Sequence, residues 1–81
     1  MNYFVYILEC ADGTYYTGVT NDLDKRIHAH NNEPTGAKYT KARRPVALKY
    51  SEPAADRSEA QKRECAIKKL SRLEKNKLFT N

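Results

Sequence analysis

Residues 4–30, FVYILECADGTYYTGVTNDLDKRIHAH, contain the features that decide the fold. The aromatic and β-branched run over residues 3–10 predicts a strand that is covered on both faces, as central strands are. Residues 11–14, ADGT, supply a hairpin turn, and residues 15–19 form the returning strand. These two strands are therefore expected to pair as an antiparallel hairpin at the centre of the fold.

The hairpin turn admits two registers. If Asp12 and Gly13 form a two-residue loop, Tyr6 and Tyr16 point to opposite faces of the sheet. If a type I turn is followed by a left-handed Gly13 in a bulge, both tyrosines share one face and Tyr6 lies opposite Gly18. The tyrosines are then diagonal neighbours, roughly 7–8 Å apart at the backbone. In that register Gly18 is expected to leave open space for a substrate.

A helix-start signal follows the hairpin at residues 20–22, TND, where a capping side chain precedes acidic residues. The helix is predicted to run to about Asn31. Arg26 and His30 lie four residues apart near its apolar face, so both side chains can reach the same point above the sheet. Singly, each has a structural explanation, because a histidine can be satisfied within a core and an arginine can extend to water. As a pair beside two tyrosines, they indicate a functional site.

Residues 32–45 are predicted to form a loop that Pro34 and Gly36 punctuate. Residues 46–50 are apolar and bounded by prolines, which predicts a third strand. Residues 51–53, SEP, are expected to end that strand.

Two further helices follow the third strand. The first is predicted over residues 56–70 and opens with a capping box at either residues 56–59, DRSE, or residues 58–61, SEAQ. Another capping box at residues 71–74, SRLE, opens a short last helix. The predicted class is therefore α+β, with a small three-stranded antiparallel sheet flanked by helices in the order β-β-α-β-α-α.

Glu64 lies only about 60° from Ile67 on the wheel of the second helix. Its carboxylate therefore borders the buried face instead of the solvent face. Such a group needs a partner, and the sequence offers an ion pair with Arg26 or Lys68, or a functional role.

The composition is that of a globular protein, with 81 residues of which 40% are apolar and 31% charged. One domain over residues 1–81 is expected. No run approaches the roughly 20 apolar residues of a membrane span. Cys10 and Cys65 form neither a C-x-x-C pair nor a cluster with histidine. We therefore expect a cytoplasmic protein with reduced thiols, no membrane contact and no obligate protein partner.

The net charge of +5 is unevenly distributed along the chain. Residues 1–37 carry two basic and five acidic groups, whereas residues 38–81 carry thirteen and five. Such a basic half attracts phosphate backbones by counterion release, although a solvated surface that promotes solubility is the alternative explanation. Basic and aromatic residues interleave after the first helix, as in nucleic-acid interfaces. The candidate nucleic-acid-binding residues are Lys38, Tyr39, Lys41, Arg43 and Arg44.

Taken together, the two tyrosines, the Arg-x-x-x-His helix and the later glutamate resemble the GIY-YIG nuclease domain. Residues 4–6, FVY, occupy the place of the first motif, and residues 16–18, YTG, that of the second. Arg26 and His30 fit the helix motif, and Glu64 fits the metal ligand of the family. The resemblance covers nearly the whole chain.

Residues 36–46, GAKYTKARRPV, and residues 64–68, ECAIK, further resemble the short stand-alone branch of that superfamily, in which the domain is the entire protein. Asn76 stands where many family nucleases have a late asparagine, which implies a supporting role. Phe4 replaces a glycine of the first motif, and Thr17 an isoleucine of the second, but neither position supplies a reacting group. No added DNA-binding domain accompanies the motifs, so limited sequence specificity is expected.

The resemblance implies a division of tasks in phosphodiester hydrolysis. Glu64 is expected to bind one Mg²⁺ or Mn²⁺ ion. Water molecules and the substrate phosphate would complete the coordination shell of that ion. Arg26 would stabilise the phosphate charge. Tyr6 is the candidate general base and Tyr16 positions the water or phosphate. Since a phenol has a pKa near 10, His30 is expected to accept its proton.

The predicted function is that of a metal-dependent endonuclease acting on DNA or RNA, with DNA favoured. The alternative is a non-catalytic nucleic-acid-binding module that uses the basic loop and the C-terminal helices, and a structural RNA-associated protein is a third hypothesis. A binding module would tolerate Glu64→Ala, whereas a nuclease would lose cleavage. If the enzyme hypothesis holds, activity should rise with pH, and His30→Ala should be impaired chiefly near neutrality.

Overall fold

The structure, a computed structural model, describes residues 2–33 and 38–79. The α+β class and the predicted order of elements are confirmed, with one additional short helix. The elements are β1 (Tyr3–Glu9), β2 (Tyr15–Thr20), α1 (Leu23–Asn32), α2 (Lys38–Lys41), β3 (Ala47–Ala54), α3 (Arg57–Lys68) and α4 (Arg72–Phe79). Within the described ranges, no helix has the length and apolar character that crossing a membrane requires.

The sheet has the order β2-β1-β3, and both pairings of the central strand β1 are antiparallel. Gly13 adopts a left-handed backbone with φ of +85°. Its N–H donates to the Cys10 carbonyl at 2.9 Å, and the Cys10 N–H donates to the Thr14 carbonyl at 2.8 Å. Tyr6 consequently pairs with Gly18. The structure therefore has the bulged turn, and the two tyrosines share a face.

Strand β1 is covered on both sides, as its apolar run predicts. Val5 and Ile7 pack against α3 on one face, whereas Tyr6 and Leu8 pack against α1 on the other. None of these four side chains is more than 1% exposed. Side chains of alternating positions thus build two small cores. The face that Tyr6 shares with α1 carries the site described below.

Side chains cap the helices where the sequence predicts. The Asp22 carboxylate accepts a hydrogen bond from the Lys25 N–H at 3.1 Å, and the Asp56 carboxylate accepts one from the Glu59 N–H at 2.8 Å. The start of α3 therefore uses the first of the two alternative boxes. Residues 71–74 form the reciprocal capping box that opens α4.

The structure corrects three boundaries. The third strand does not end at residues 51–53 but continues to Ala54, with Pro53 opposite Phe4. This is tolerated because β3 is an edge strand, where a missing N–H costs no ladder bond. Residues 38–41, predicted as loop, form α2, and α3 ends at Lys68, before residue 70.

The predicted loop punctuation at Pro34 and Gly36 lies outside the described residues. Helix α2 was missed because it has a single turn and is held by tertiary contacts. Its Thr40 is fully buried and bonded to the α1 residue His30. A four-residue segment gives too little periodicity to predict a helix.

Thr17 carries a buried hydroxyl, and its Oγ1 has no hydrogen-bond partner in the part of the chain that the structure describes. The residue is 3% exposed and pairs with Ile7. We expect Thr17→Val to raise the free energy of unfolding by about 1 kcal/mol, because it removes an unpaired buried polar group at nearly constant volume. Denaturant unfolding measures the change.

Thr14→Val provides the matched control, since the Thr14 hydroxyl donates to the Asp12 carboxylate at 2.6 Å. That variant should lose stability or remain unchanged. A loss of stability in Thr17→Val would contradict the expectation, because it would mean that the hydroxyl has a partner in solution.

Candidate active site

A cluster of three rings lies where β1, β2 and α1 meet. The Tyr6 hydroxyl and His30 Nε2 are hydrogen-bonded at 2.8 Å. The ring of Tyr16 lies 6.5 Å from that of Tyr6 and 5.1 Å from that of His30, measured between centroids. Tyr6 and His30 are essentially inaccessible to solvent. The bulged hairpin and the helix therefore bring three predicted catalytic residues into contact.

Gly18 makes room for the Tyr6 ring. A Cβ atom built at Gly18 would lie 2.4 Å from the Tyr6 hydroxyl oxygen and 2.6 Å from Cζ. The expectation that a substrate occupies the space opposite Tyr6 is therefore wrong, because the phenol itself fills it. The glycine allows the ring to lie flat across β2 and to reach His30.

Gly18→Ala should displace the Tyr6 phenol from His30, because a Cβ at 2.4 Å cannot coexist with the present ring position. If the chain cleaves phosphodiester bonds as the resemblance implies, the cleavage rate should fall by about 100-fold, as it does when catalytic groups are misplaced, and overpacking should cost about 1–3 kcal/mol of stability. The single-turnover rate and denaturant unfolding measure the two effects.

Gly13→Ala separates the two effects. This change also destabilises the protein, since φ is +85°, but its Cβ meets nothing within 4 Å. Its cleavage rate should stay near that of the unchanged chain under folding conditions. A wild-type rate in Gly18→Ala would contradict the assigned role of the Tyr6 position.

The cluster borders a cleft of about 500 Å³ at the β2 side of the sheet. His30 does not line the cleft itself. It contacts the Tyr6 hydroxyl, so it can act on a group in the cleft only through the Tyr6 phenol. The cleft is lined by four predicted site residues from β1, β2, α1 and α3, which are Tyr6, Tyr16, Arg26 and Glu64. Two residues of α3 that were not predicted as site residues, Arg57 and Gln61, also line it.

Burial sets the protonation of the Tyr6–His30 pair. It raises the pKa of Tyr6, the neighbouring Arg26 guanidinium opposes this shift, and Tyr16 and Glu64 add to it. Burial lowers the pKa of His30 to about 4, with the cations of Arg26 and Arg44 adding to the effect. At neutral pH the phenol is therefore protonated and the imidazole neutral, which leaves His30 able to accept a proton.

Thr40 completes the support of His30. Its Oγ1 lies 2.8 Å from His30 Nδ1, and the residue is fully buried. A neutral imidazole has one donor and one acceptor nitrogen. When Tyr6 donates to Nε2, Nδ1–H must therefore donate to Thr40. No sequence signal identified this residue, since a threonine within a basic segment has no distinguishing pattern.

Thr40→Val is expected to lower the cleavage rate by about 10- to 100-fold, because it leaves the buried Nδ1–H of His30 without an acceptor and frees the other tautomer. Thr40→Ser keeps the hydroxyl and should retain most of the rate. Ring ¹⁵N chemical shifts report the tautomer directly. An unchanged tautomer and rate in the valine variant would contradict the role of Thr40.

Glu64 supplies a carboxylate to the cleft from α3. Its Oε2 lies 3.4 Å from Lys68 Nζ, so Lys68 and not Arg26 is its ion-pair partner among the described residues. No group of three potential ligands from His, Cys, Asp and Glu lies within residues 2–33 and 38–79. A single carboxylate beside phenolic oxygens fits a hard cation that keeps most of its waters, such as Mg²⁺ or Mn²⁺.

The basic segment forms a second stack beside the cluster. Tyr39 stacks on Tyr16, with 6.0 Å between ring centroids. The Arg43 guanidinium lies 3.9 Å from the Tyr39 centroid, and its Nε donates to the Asp12 carboxylate at 3.0 Å. Tyr39 nevertheless remains 38% exposed.

Arg44 also makes bonds within the protein. It donates to the carbonyls of His30 and Glu33 at 2.6 Å each, at the C-terminal end of α1. Lys38 and Lys41 remain solvent-exposed. Nucleic-acid contacts by residues of this segment stay a prediction, with the two lysines as its more accessible cations.

Asn76 lies away from the cleft. Its Oδ1 accepts a hydrogen bond from the Tyr15 hydroxyl at 2.7 Å. Because Tyr15 and Tyr16 are neighbours on β2, their side chains point to opposite faces of the sheet. The structure thus places Asn76 where it fastens α4 to the hairpin, and does not bring it to the other site residues.

Comparison with known families agrees with this arrangement. The GIY-YIG catalytic domain matches residues 2–78. Since this match covers nearly the whole chain, the chain belongs to the GIY-YIG family, which acts on nucleic acids.

Among individual proteins, the chain is similar to short members named UPF0213. It is 57% identical to the one from Desulfotalea psychrophila, over 94% of this chain and 69% of that protein. It is 52% identical to the one from Halobacterium salinarum, over 93% and 96%. The solution NMR structure of the UPF0213 protein from Bacillus halodurans has a TM-score of 0.60 at 46% identity, covering 96% and 82%. The resemblance to the short branch is confirmed.

Proposed function

We propose that this protein is a metal-dependent endonuclease that hydrolyses phosphodiester bonds in DNA or RNA with limited sequence specificity, DNA being the favoured substrate. The observation that carries the proposal is the 2.8 Å hydrogen bond between Tyr6 and the neutral His30 at the wall of a cleft. A buried phenol needs some hydrogen-bond partner, but this phenol also lines a cleft that carries Arg26 and Glu64. The free thiols of Cys10 and Cys65 are consistent with a cytoplasmic location.

Proton transfer runs through the Tyr6–His30 pair in this mechanism. Tyr6 passes its phenolic proton to His30 Nε2 and takes the proton of the attacking water. His30 is neutral at rest because burial lowers its pKa to about 4, so its Nε2 lone pair is free to take the phenolic proton as the water proton reaches the Tyr6 oxygen. Thr40 holds the ring in the required tautomer.

Charge stabilisation comes from the other residues that line the cleft. Arg26 donates to the phosphate oxygens, where its fixed charge opposes the negative charge of the transition state. Tyr16 positions the water or the phosphate. Glu64 would hold a single Mg²⁺ or Mn²⁺, and such an ion would supply Lewis-acid stabilisation of the departing oxygen.

The proposal is tested by incubating the protein with labelled DNA and RNA, single- and double-stranded, with Mg²⁺, with Mn²⁺ or with EDTA. Cleavage of at least one substrate in the presence of either metal ion, and of none in EDTA, is expected. Binding without cleavage in every condition would contradict the proposal and favour the non-catalytic binding module.

A further inference from the structure

One guanidinium in the cleft has no hydrogen-bond or ion-pair partner among the described residues. Four of the six arginines bond to protein oxygens, and Arg26 lies beside Tyr6. Arg57 lines the cleft and makes no hydrogen bond or ion pair in residues 2–33 and 38–79. An arginine at the mouth of a catalytic cleft with no internal partner is available to a ligand. The bonded arginines are Arg43, Arg44, Arg63 and Arg72.

Arg57 is aligned with the proposed metal ligand. Arg57, Gln61 and Glu64 occupy positions i, i+4 and i+7 of α3 and so lie on one face of the helix. Seven residues of helix place Arg57 about 10 Å from Glu64 along the axis. That distance is well above the roughly 3.4 Å axial rise between nucleotides of one strand, so the two residues face different phosphates. Arg57 is therefore placed to reach a flanking phosphate and not the scissile one.

Charge at the two ends of the cleft favours the same direction. Beyond Arg26, a second depression carries Lys25 but also the carboxylates of Asp22 and Glu33. Towards Arg57, by contrast, the cleft has no acidic lining residue among the described residues apart from Glu64 of the catalytic centre. A polyanionic strand should therefore leave the catalytic centre towards Arg57.

We propose that Arg57 and Gln61 form a subsite that binds a backbone phosphate of the strand flanking the scissile bond. The guanidinium provides a bidentate donor and the Gln61 amide a neutral one. The proposal rests on the proposed function, and it narrows the substrate to a polynucleotide that extends several nucleotides past the cleaved bond. A small phosphodiester would leave the subsite empty.

The test measures binding separately from cleavage. A fluorescent oligonucleotide, single-stranded or duplex, is titrated by anisotropy at several salt concentrations with Glu64→Gln protein in EDTA. Adding Arg57→Gln should weaken binding about tenfold and lower the salt slope by about 0.7 to 0.9, the loss of one phosphate contact. Lys62→Gln is the matched control, since it removes one charge from the exposed side of α3, where Lys62 pairs with Glu59. It should leave both quantities unchanged.

Three results would overturn the subsite. The first is an unchanged affinity and salt slope in Arg57→Gln. The second is an equal loss in Arg57→Gln and in the Lys62 control, which would indicate a non-specific charge effect. The third is a loss confined to a Lys38→Gln and Lys41→Gln double variant, which would place the strand over α2. In all three the parent binds, so the nuclease proposal stands; a parent that neither binds nor, with Glu64 restored, cleaves would overturn both.

Discussion

Glu64→Gln should reduce metal-dependent cleavage by at least about 1000-fold, the scale of losing a main source of transition-state charge stabilisation. Glu64 is the one carboxylate among the described residues that line the cleft. Glutamine keeps the shape but lacks the charge that a hard cation requires. Nucleic-acid binding in EDTA should persist, because the remaining cleft becomes more positive. Single-turnover cleavage and anisotropy measure the two quantities.

Glu59→Gln is the matched control for this change. Glu59 lies on the same helix, is solvent-exposed and pairs with Lys62 at 3.7 Å. Its cleavage rate should equal that of the unchanged protein. Metal-dependent cleavage that survives in Glu64→Gln would place the cation elsewhere and refute the assignment of Glu64.

Tyr6→Phe should lower the cleavage rate by about 10²- to 10⁴-fold, the usual contribution of a general base. The variant removes only the hydroxyl that bonds to His30 at 2.8 Å, and the ring still fills the space over Gly18. Leaving His30 Nε2 without its partner costs about 1–3 kcal/mol of stability. Single-turnover kinetics should therefore be measured under conditions in which unfolding curves show the variant to be folded.

Tyr50→Phe is the matched control, because it removes a hydrogen-bonded tyrosine hydroxyl that has no proposed role as a general base. The Tyr50 hydroxyl also makes a hydrogen bond, to Glu52 at 2.8 Å, but Tyr50 packs in the core beneath α4. That variant should cleave normally. If Tyr6→Phe cleaved at the wild-type rate, another group would have to activate the water.

The sequence could predict the site as far as local pattern and register determine it. An apolar run specifies β1, and a left-handed Gly13 fixes the register that puts Tyr6 and Tyr16 on one face. The spacing of four residues then brings His30 to the same place as Arg26. Once the register is known, these relations follow from the periods of strand and helix, but the sequence alone left two registers open.

The remaining parts of the site depend on packing between distant segments. Thr40 can bond to His30 because α2 packs against α1. A four-residue helix is too short to have a periodic pattern that would predict this packing. Arg57 enters the cleft because α3 lies across the edge of the sheet at β2. The sequence predicts open space opposite Tyr6 because the strand pattern does not give the direction of the Tyr6 ring. That direction is set by the hydrogen bond to His30, which turns the ring over Gly18.

The most direct test of the central claim, that neutral His30 activates Tyr6 for phosphodiester hydrolysis, is the pH dependence of single-turnover cleavage in Mg²⁺. Since burial raises the pKa of Tyr6, the phenol stays protonated throughout the neutral range. Since His30 has a pKa of about 4, it stays neutral and adds no inflection near 6.5. The pair that passes the proton is therefore fully populated across this range, and we expect a rate that is independent of pH there and falls only as the pH approaches 4, in place of the rise with pH expected from the sequence. A break near pH 6.5, a rate that rises with a slope of about one across neutral pH, or no cleavage at any pH would contradict the account.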